Sequence, residues 1–335
     1  MANFLFIGGT GIISAAAVHR ATALGHQVTV LNRGRSSTRT LPEQTEFLTA
    51  DIRDPGSVRA ALGTREFDAV VDFVAFVPEH VQSDLDLFTG RTAQYVFISS
   101  ASAYQKPPAT VPVTEETPLV NPFWQYSRDK IACEELLRAS SGINWTIIRP
   151  SHTYDRTALP TTGGWTVIDR MRRGVPVFVH GDGTSLWTLT HTDDHAVALV
   201  GLLANPVAYG EAYHITNEDP LPWNDIYLKL GRAAGVEPQL VHVASQTIAA
   251  IHPAWGPGLV GDKAYSMIFD NSKVRSVVPD FAPVIDFDEG ARQIIEWYDA
   301  DPARQVVDPD EDATIDRICA FATSVANSVA GSAAP

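Results

Sequence analysis

Tyr126 and Lys130 stand four apart in the run Tyr126-Ser-Arg-Asp-Lys130. On a helix that spacing puts both side chains on one face, close enough for an ammonium to favour the phenolate and lower the phenol's pKa. A phenol so tuned is a usable general base. Upstream lies a hydroxyl-rich stretch, Phe97-Ile-Ser99-Ser100-Ala-Ser102-Ala-Tyr104, at the end of an apolar run. A second constellation sits near the N-terminus, where Phe4 to Ile7 leads into Gly8-Gly-Thr10-Gly11-Ile12-Ile-Ser14 and then an alanine-rich segment. Gly8 and Gly11 allow a tight turn and close backbone approach to a pyrophosphate, whose charge a helix N-terminus would meet. The pattern is GxxGxxG with Ser14 in place of the last glycine. Ser14 makes close helix contact harder than glycine would.

Where the second apolar run ends, an acidic residue would bond the ribose 2′-hydroxyl of an adenine dinucleotide, but the chain reads Leu31-Asn32-Arg33-Gly-Arg35. Guanidinium forks suit a 2′-phosphate, so these residues favour NADP, with NAD the alternative and a solvated loop the plain reading. Asp51 and Ile52, after the third run, could address the adenine edge and ring.

These residues need a scaffold, and the first half of the chain supplies one. Short β-type runs at 4–7, 28–31, 46–49, 69–74, 95–99 and 145–148 alternate with helical periods at 12–24, 55–62, 78–88 and 123–140, the last opened by Pro122. That alternation predicts βαβ units and a doubly wound parallel sheet, an α/β Rossmann architecture. After Pro150 the pattern turns irregular, with a helix near 165–172 and a turn at His180-Gly-Asp-Gly183. A helix over 193–204 started by an Asp cap and a strand at 213–216 would rejoin the sheet. The expected organisation is a dinucleotide-binding domain over 1–155 completed by about 188–218, a smaller substrate-binding lobe over 156–187 and 219–300, and an acidic then Ala/Ser-rich tail over 301–335.

The 335 residues carry a formal charge of −14, with 45% hydrophobic and 19% charged residues. A full core can be buried, and a polyanion such as nucleic acid would meet net repulsion. Cys133 and Cys319 form neither a disulfide framework nor a CxxC metal pattern, which fits a reducing cytosol and a cytoplasmic location. No window reaches the roughly 18 uninterrupted apolar residues of a membrane helix.

Taken in order, the glycine loop, the Ser-Ser stretch and Tyr126-x-x-x-Lys130 resemble the extended short-chain dehydrogenase/reductase family, also called the NAD-dependent epimerase/dehydratase family. So do Arg149-Pro-Ser-His-Thr-Tyr154, Gly181-Asp-Gly183 with Thr190-His-Thr-Asp-Asp194, and Phe287-Asp-Glu-Gly290 opening a late helix. The resemblance implies a nicotinamide-dependent enzyme in which Tyr126 is the acid/base, Lys130 holds the nicotinamide ribose and tunes Tyr126, and Ser100 bonds the reacting oxygen. It also implies cofactor contacts at Thr10, Ile12, Phe73, Val74, Ala75 and Pro150, substrate contacts at Ser102, His152 and Trp187, and a homodimer paired through the tyrosine helix.

Two departures bear on the substrate. Nucleotide-sugar members carry an arginine for the diphosphate where this chain has Trp187, which favours a smaller sugar-like or polyol substrate with Trp187 free to stack on a ring. Ala101-Ser102 replaces the Asp-Glu pair of dehydratases, so elimination is disfavoured. His191 and His195 have the spacing of metal ligands, but a strand end followed by a capped helix explains the same letters and no metal is expected. His152 is either a substrate contact or a structural hydrogen-bonding group, and Arg170, Arg172 and Arg173 read as a solvated helix face. The competing functions are nucleotide-sugar epimerisation and a non-catalytic RNA-binding or cofactor-sensing role on the same scaffold.

Overall fold

The computed structural model describes residues 1–34 and 38–332. The first half runs β1 (Asn3–Ile7), α1 (Ile12–Ala23), β2 (Gln27–Asn32), β3 (Glu46–Thr49), α2 (Pro55–Leu62), β4 (Ala69–Asp72), α3 (Pro78–Phe88), β5 (Tyr95–Ile98), α4 (Gln125–Ala139) and β6 (Trp145–Pro150). The second half runs β7 (His152–Tyr154), α5 (Gly164–Arg172), β8 (Val177–His180), β9 (Leu186–His191), α6 (Thr192–Leu202), β10 (Glu211–Ile215), β11 (Pro220–Pro222), α7 (Trp223–Ala233), β12 (Leu240–Val243), α8 (Ser245–Ile251), α9 (Gly256–Gly258), α10 (Ser272–Val277), α11 (Phe287–Asp299) and α12 (Pro309–Ser332).

Seven parallel strands form the main sheet in the order β10-β6-β5-β4-β1-β2-β3. Order reverses between β1 and β4, so the crevice for a ligand opens at the carboxyl ends of those two strands. A parallel sheet is covered on both faces, which is why its strands are apolar throughout rather than alternating. Phe4, Phe6, Val30, Val71 and Ile148 pack on one face under α1 and α6. Leu5, Ile7, Val70, Phe97 and Ile147 fill the other, together with residues of α2, α3 and α4. A third core joins β7 to β9, β11 and β12 with α5, α7, α11 and α12 around Trp165, Trp187, Trp223, Ile294 and Ile318.

The expectations for local structure need three corrections. Helix α4 opens at Gln125 with Trp124 as its cap residue, not at the proline, because Asn121 Oδ1 accepts the Phe123 N–H and bends the chain first. Helix α6 is capped by His191, whose Nδ1 accepts the Asp193 N–H, rather than by an aspartate. Residues 309–332 are a helix rather than a loose tail, and Ile315 and Ile318 are fully buried in the third core. Arg170 explains this docking: it is buried, not solvated, and pairs with Asp312 and Asp316 at 2.5 Å each, while Arg173 also reaches Asp312. No helix among the described residues is long and apolar enough to cross a membrane. Both cysteines are free and buried.

Beneath the strand ends, Glu134 of α4 meets Arg149 of β6 at 2.6 and 2.9 Å, and Ser99 Oγ donates to the same carboxylate at 2.6 Å. Arg149 also donates to the Tyr104 hydroxyl at 3.1 Å. Removing one partner leaves an uncompensated charge in the core, which costs about 3–5 kcal/mol. Arg149→Met is therefore expected to lower unfolding stability by about that amount in urea titrations, and an unchanged midpoint would show that water reaches the pair.

Candidate active site

The loop between β1 and α1 is shaped by steric necessity. Gly8 has φ +82°, and a Cβ there would stand 2.7 Å from Val74. Ser14, expected to crowd the helix, instead closes the loop: its hydroxyl accepts the Gly11 N–H at 2.8 Å and donates to the Gly8 carbonyl at 2.7 Å. The cleft above it holds about 560 Å³ and is lined by Gly8, Thr10, Gly11, Asn32, Arg33, Asp51, Ile52 and Val74. Arg39, Arg53, Phe76 and His80 line it too, and sequence spacing did not mark them. Arg39 comes with its charge committed, paired to Asp155 at 2.6 Å across the cleft mouth. The glycine cradle, the α1 N-terminus and the cleft volume fit an adenine dinucleotide.

Some expected contacts lie elsewhere. Phe73 turns to the opposite face and stacks on Phe6 with ring centres 5.9 Å apart. Ile12 lines the neighbouring groove beside Asp155 and Thr192, and Pro150 lines the second pocket described below. Arg35 falls outside the described residues. Ala75 is buried and presents its carbonyl to Lys130. The turn 73–75 is held from beneath by Asp72, which accepts the Ala75 N–H at 3.0 Å. Asp84 is buried beside Asp72, and burial followed by the Asp72 charge drives its carboxyl well above the ordinary carboxylate range. Tyr95 donates to Asp84 at 2.7 Å.

A second pocket of about 250 Å³ opens where β5 and β6 end and α4 begins, lined by Ser100, Ser102, Tyr126, Pro150, His152 and Trp187. Lys106, Trp124, Asp262, Lys263, Met267 and Phe269 complete its wall. Ser100 caps the short turn 101–103 by accepting the Ser102 N–H at 3.1 Å, and its Oγ lies 2.9 Å from that of Ser102. Ser127 donates to Ser102 at 2.8 Å. This chain of hydroxyls fixes Ser100 on the same pocket wall as the Tyr126 phenol.

Lys130 departs from expectation. Its ammonium donates to the carbonyls of Ala75 and Ile98, both at 2.7 Å, and sits 5.7 Å from the centre of the Tyr126 ring. Burial, the largest influence, draws Lys130 down to about 8. The phenol of Tyr126 lies above its ordinary pKa rather than below it. Burial raises it most, the Ser100 hydrogen bond draws it part way back, and Asp262 adds to the rise. The lysine thus stands ready beneath the ring with its protons held by backbone.

Trp187 lines the pocket but is 3% exposed, packed against Trp223 with ring centres 5.7 Å apart, so it forms buried wall rather than an open stacking platform. Its indole N–H donates to His152 Nδ1 at 3.1 Å. His152 is pushed down to about 3 by burial and then by the Lys263 charge, so it is neutral and its other ring nitrogen carries the hydrogen. His191 is occupied as the α6 cap and by Gln293 at 3.2 Å, while His195 is buried in α6 with neither nitrogen bonded. Among the described residues no group of three or more potential ligands could hold a metal ion.

Comparison with known proteins agrees with this geometry. The profile of the "NAD dependent epimerase/dehydratase family" matches residues 4–216. The chain is 31% identical over 239 residues to 2'-dehydrokanamycin reductase of Streptomyces kanamyceticus, a match covering 69% of this chain and 66% of that protein. It is 30% identical over 253 residues to the chloroplast stem-loop binding protein of 41 kDa b of Arabidopsis thaliana, covering 72% and 65%. The chain thus spans just under two-thirds of each relative's length. Among solved structures, UDP-glucose 4-epimerase from Bifidobacterium longum in complex with NAD+ and UDP superposes with a TM-score of 0.72 at 19% identity, covering 90% of this chain and 99% of that one. An epimerase from Methanothermobacter thermautotrophicus gives 0.74 at 16% identity, covering 91% and 94%. At such identities these two show a shared fold.

The position of Lys130 has a measurable consequence. Its folded pKa near 8 lies below the ordinary lysine value, so the buried charge is a stability cost that is full below pH 8 and relieved as pH rises toward the unfolded value. NMR of labelled lysine in the cofactor-free protein is expected to show one side chain titrating near pH 8 and absent from Lys130→Met. A titration near the ordinary lysine value would mean that water reaches the ammonium.

Proposed function

The chain belongs to the NAD dependent epimerase/dehydratase family, and on that footing we propose that it is an NAD(P)-dependent oxidoreductase or epimerase acting on a secondary hydroxyl or keto group of a sugar-like or polyol metabolite. One observation carries the reading. Ser100 and Tyr126 line the same small pocket, and Lys130 lies between that wall and the turn 75–76 that borders the dinucleotide cleft.

A nicotinamide, when bound, supplies the acceptor or donor for hydride. The chain's own residues manage the proton. Tyr126 takes it from the substrate hydroxyl and returns it when the keto group is reduced. Ser100 holds the same oxygen in line. The raised phenol of the free protein means that Lys130 must exchange a backbone acceptor for a place closer to the tyrosine oxygen before the base is at full strength. The small pocket falls short of the roughly 300–1,000 Å³ of drug-sized sites, which favours a monosaccharide-sized substrate over a nucleotide sugar.

NADP is the preferred cofactor in this reading. β2 ends in Asn32, whose side chain is spent on the Gly34 N–H at 2.9 Å, and Arg33 beside it lines the cleft. A homodimer and a cytoplasmic location remain part of the proposal. RNA binding, suggested by the name of one relative, is disfavoured by a net charge of −14 and by the intact hydroxyl, phenol and ammonium set.

Tyr126→Phe is expected to reduce turnover by about 10²–10⁴ with cofactor affinity nearly unchanged, measured by reduced-nicotinamide absorbance and calorimetry. Near-normal turnover would remove Tyr126 from the mechanism. Arg33→Ala is expected to weaken NADPH binding by about tenfold or more while leaving NADH little changed. An equal effect on both would locate the 2′-phosphate elsewhere.

A further inference from the structure

The wall of the small pocket opposite Tyr126 carries charge that the proton chemistry does not use. Lys106 has a side chain with no solvent exposure and lies 2.8 Å from Asp262, and its ammonium stands 5.9 Å from the centre of the Trp187 ring. An ammonium has three donors, and no acceptor meets this one with good hydrogen-bond geometry. Lys263 joins it from the turn 259–263, and Asp262 is the one carboxylate lining the pocket. Two cations therefore face one anion around a space that a ligand must fill. Burial and then proximity to Lys106 oppose the charge of Lys263 in the free protein, against the pull of Asp262. His152 between them is neutral and adds a donor rather than a charge.

We propose that the substrate carries a carboxylate on a monosaccharide-sized frame, and that Lys106 and Lys263 receive that carboxylate while Ser100 and Tyr126 take the reacting oxygen at the other end. The inference rests on the proposed reading of Ser100 and Tyr126 as the reacting end of the same pocket. Charge balance selects the carboxylate: two lysines less Asp262 leave one positive charge, which a single negative charge neutralises. A phosphate dianion would overshoot. An amino sugar would bring a third cation to the lysines. Trp187 fits this arrangement, since it closes the wall where an arginine would otherwise extend the positive surface outward.

The test uses the full-length protein with saturating cofactor and a matched panel: a hexuronate, its neutral parent hexose, the hexose 6-phosphate and the 2-amino sugar. Rates are read from nicotinamide absorbance and binding from calorimetry. The hexuronate is expected to exceed the neutral sugar in kcat/KM by about 10- to 100-fold, the worth of charge-assisted hydrogen bonds. Lys263→Gln is expected to erase most of that advantage, raising KM for the hexuronate so that the hexuronate-to-hexose ratio of kcat/KM falls towards one. Because Lys106→Gln alone would strand Asp262, the paired variant Lys106→Gln/Asp262→Asn gives a neutral counterpart that should lose the same preference. Preference for the neutral, amino or phosphorylated sugar, or a uronate advantage that survives both variants, would overturn the inference. If none of the four turns over, calorimetry decides: hexuronate binding no tighter than that of the parent hexose also overturns it. Retained uronate preference together with normal turnover in Tyr126→Phe would instead remove the acid/base reading and leave the anion subsite standing.

Discussion

An ammonium shared by the carbonyls of Ala75 and Ile98 ties the first turns of α4 to the carboxyl ends of two neighbouring strands. Burying a cation is costly, and the two carbonyls with the rings of Phe76, Phe97 and Tyr126 around the nitrogen offset that cost. The consequence is positional. With Lys130 anchored, α4 can neither slide along the sheet nor rotate, and Tyr126, one turn earlier, must face the pocket. Glu134, one turn later, is fixed in the same way by Arg149 and Ser99. Two successive turns of one helix are thus each bolted to the sheet by polar contacts, and the Tyr126 phenol occupies the end that lines the pocket.

The same strand ends build the dinucleotide cleft. Val74 and Ala75 are held by Asp72, Ala75 receives Lys130, and Val74 closes against Gly8 so tightly that a Cβ would not fit. Cleft and pocket therefore share a wall one turn thick. The raised carboxyl of Asp84 beneath that wall reflects the cost of placing two adjacent buried carboxylates together.

Much of this was legible in the chain because parallel strands covered on both faces are apolar without interruption, so β1 to β6 announce themselves at nearly their true boundaries. Spacing also pointed to the glycine loop and to Tyr126 with Lys130 on one helix face, and the family resemblance pointed to Ser100, since those depend on local sequence. What escaped depends on contacts distant in sequence. Arg170 looks like a surface cation until Asp312 and Asp316 arrive from the last helix, which in turn looks like a tail until Arg170 is there to seat it. Lys106 and Asp262, far apart in sequence, meet in the same manner. Protonation states escaped as well: a Tyr and a Lys four apart imply a lowered phenol, yet the lysine's protons go to backbone carbonyls that no spacing rule contains.

Asn121 shows how the two ends of the small pocket are coupled. Its amide donates to the carbonyl of Ser102 at 2.9 Å and to that of Gly261 at 2.7 Å, joining the serine turn beside Tyr126 to the segment that carries Asp262 and Lys263. Gly261 permits the approach, since a Cβ there would stand 3.1 Å from both Phe123 and Trp124. Farther along, Met267 bonds to the Leu186 carbonyl and the Ile268 carbonyl accepts the Val113 N–H, so the segment is stitched to β9 and to the loop before α4. A charge placed at Asp262 or Lys263 is consequently as rigidly positioned as the phenol itself. In the proposed reading, selectivity for one class of substrate follows from this coupling: a molecule must reach both the Ser100–Tyr126 wall and the lysine wall, and one too short or wrongly charged engages only one end.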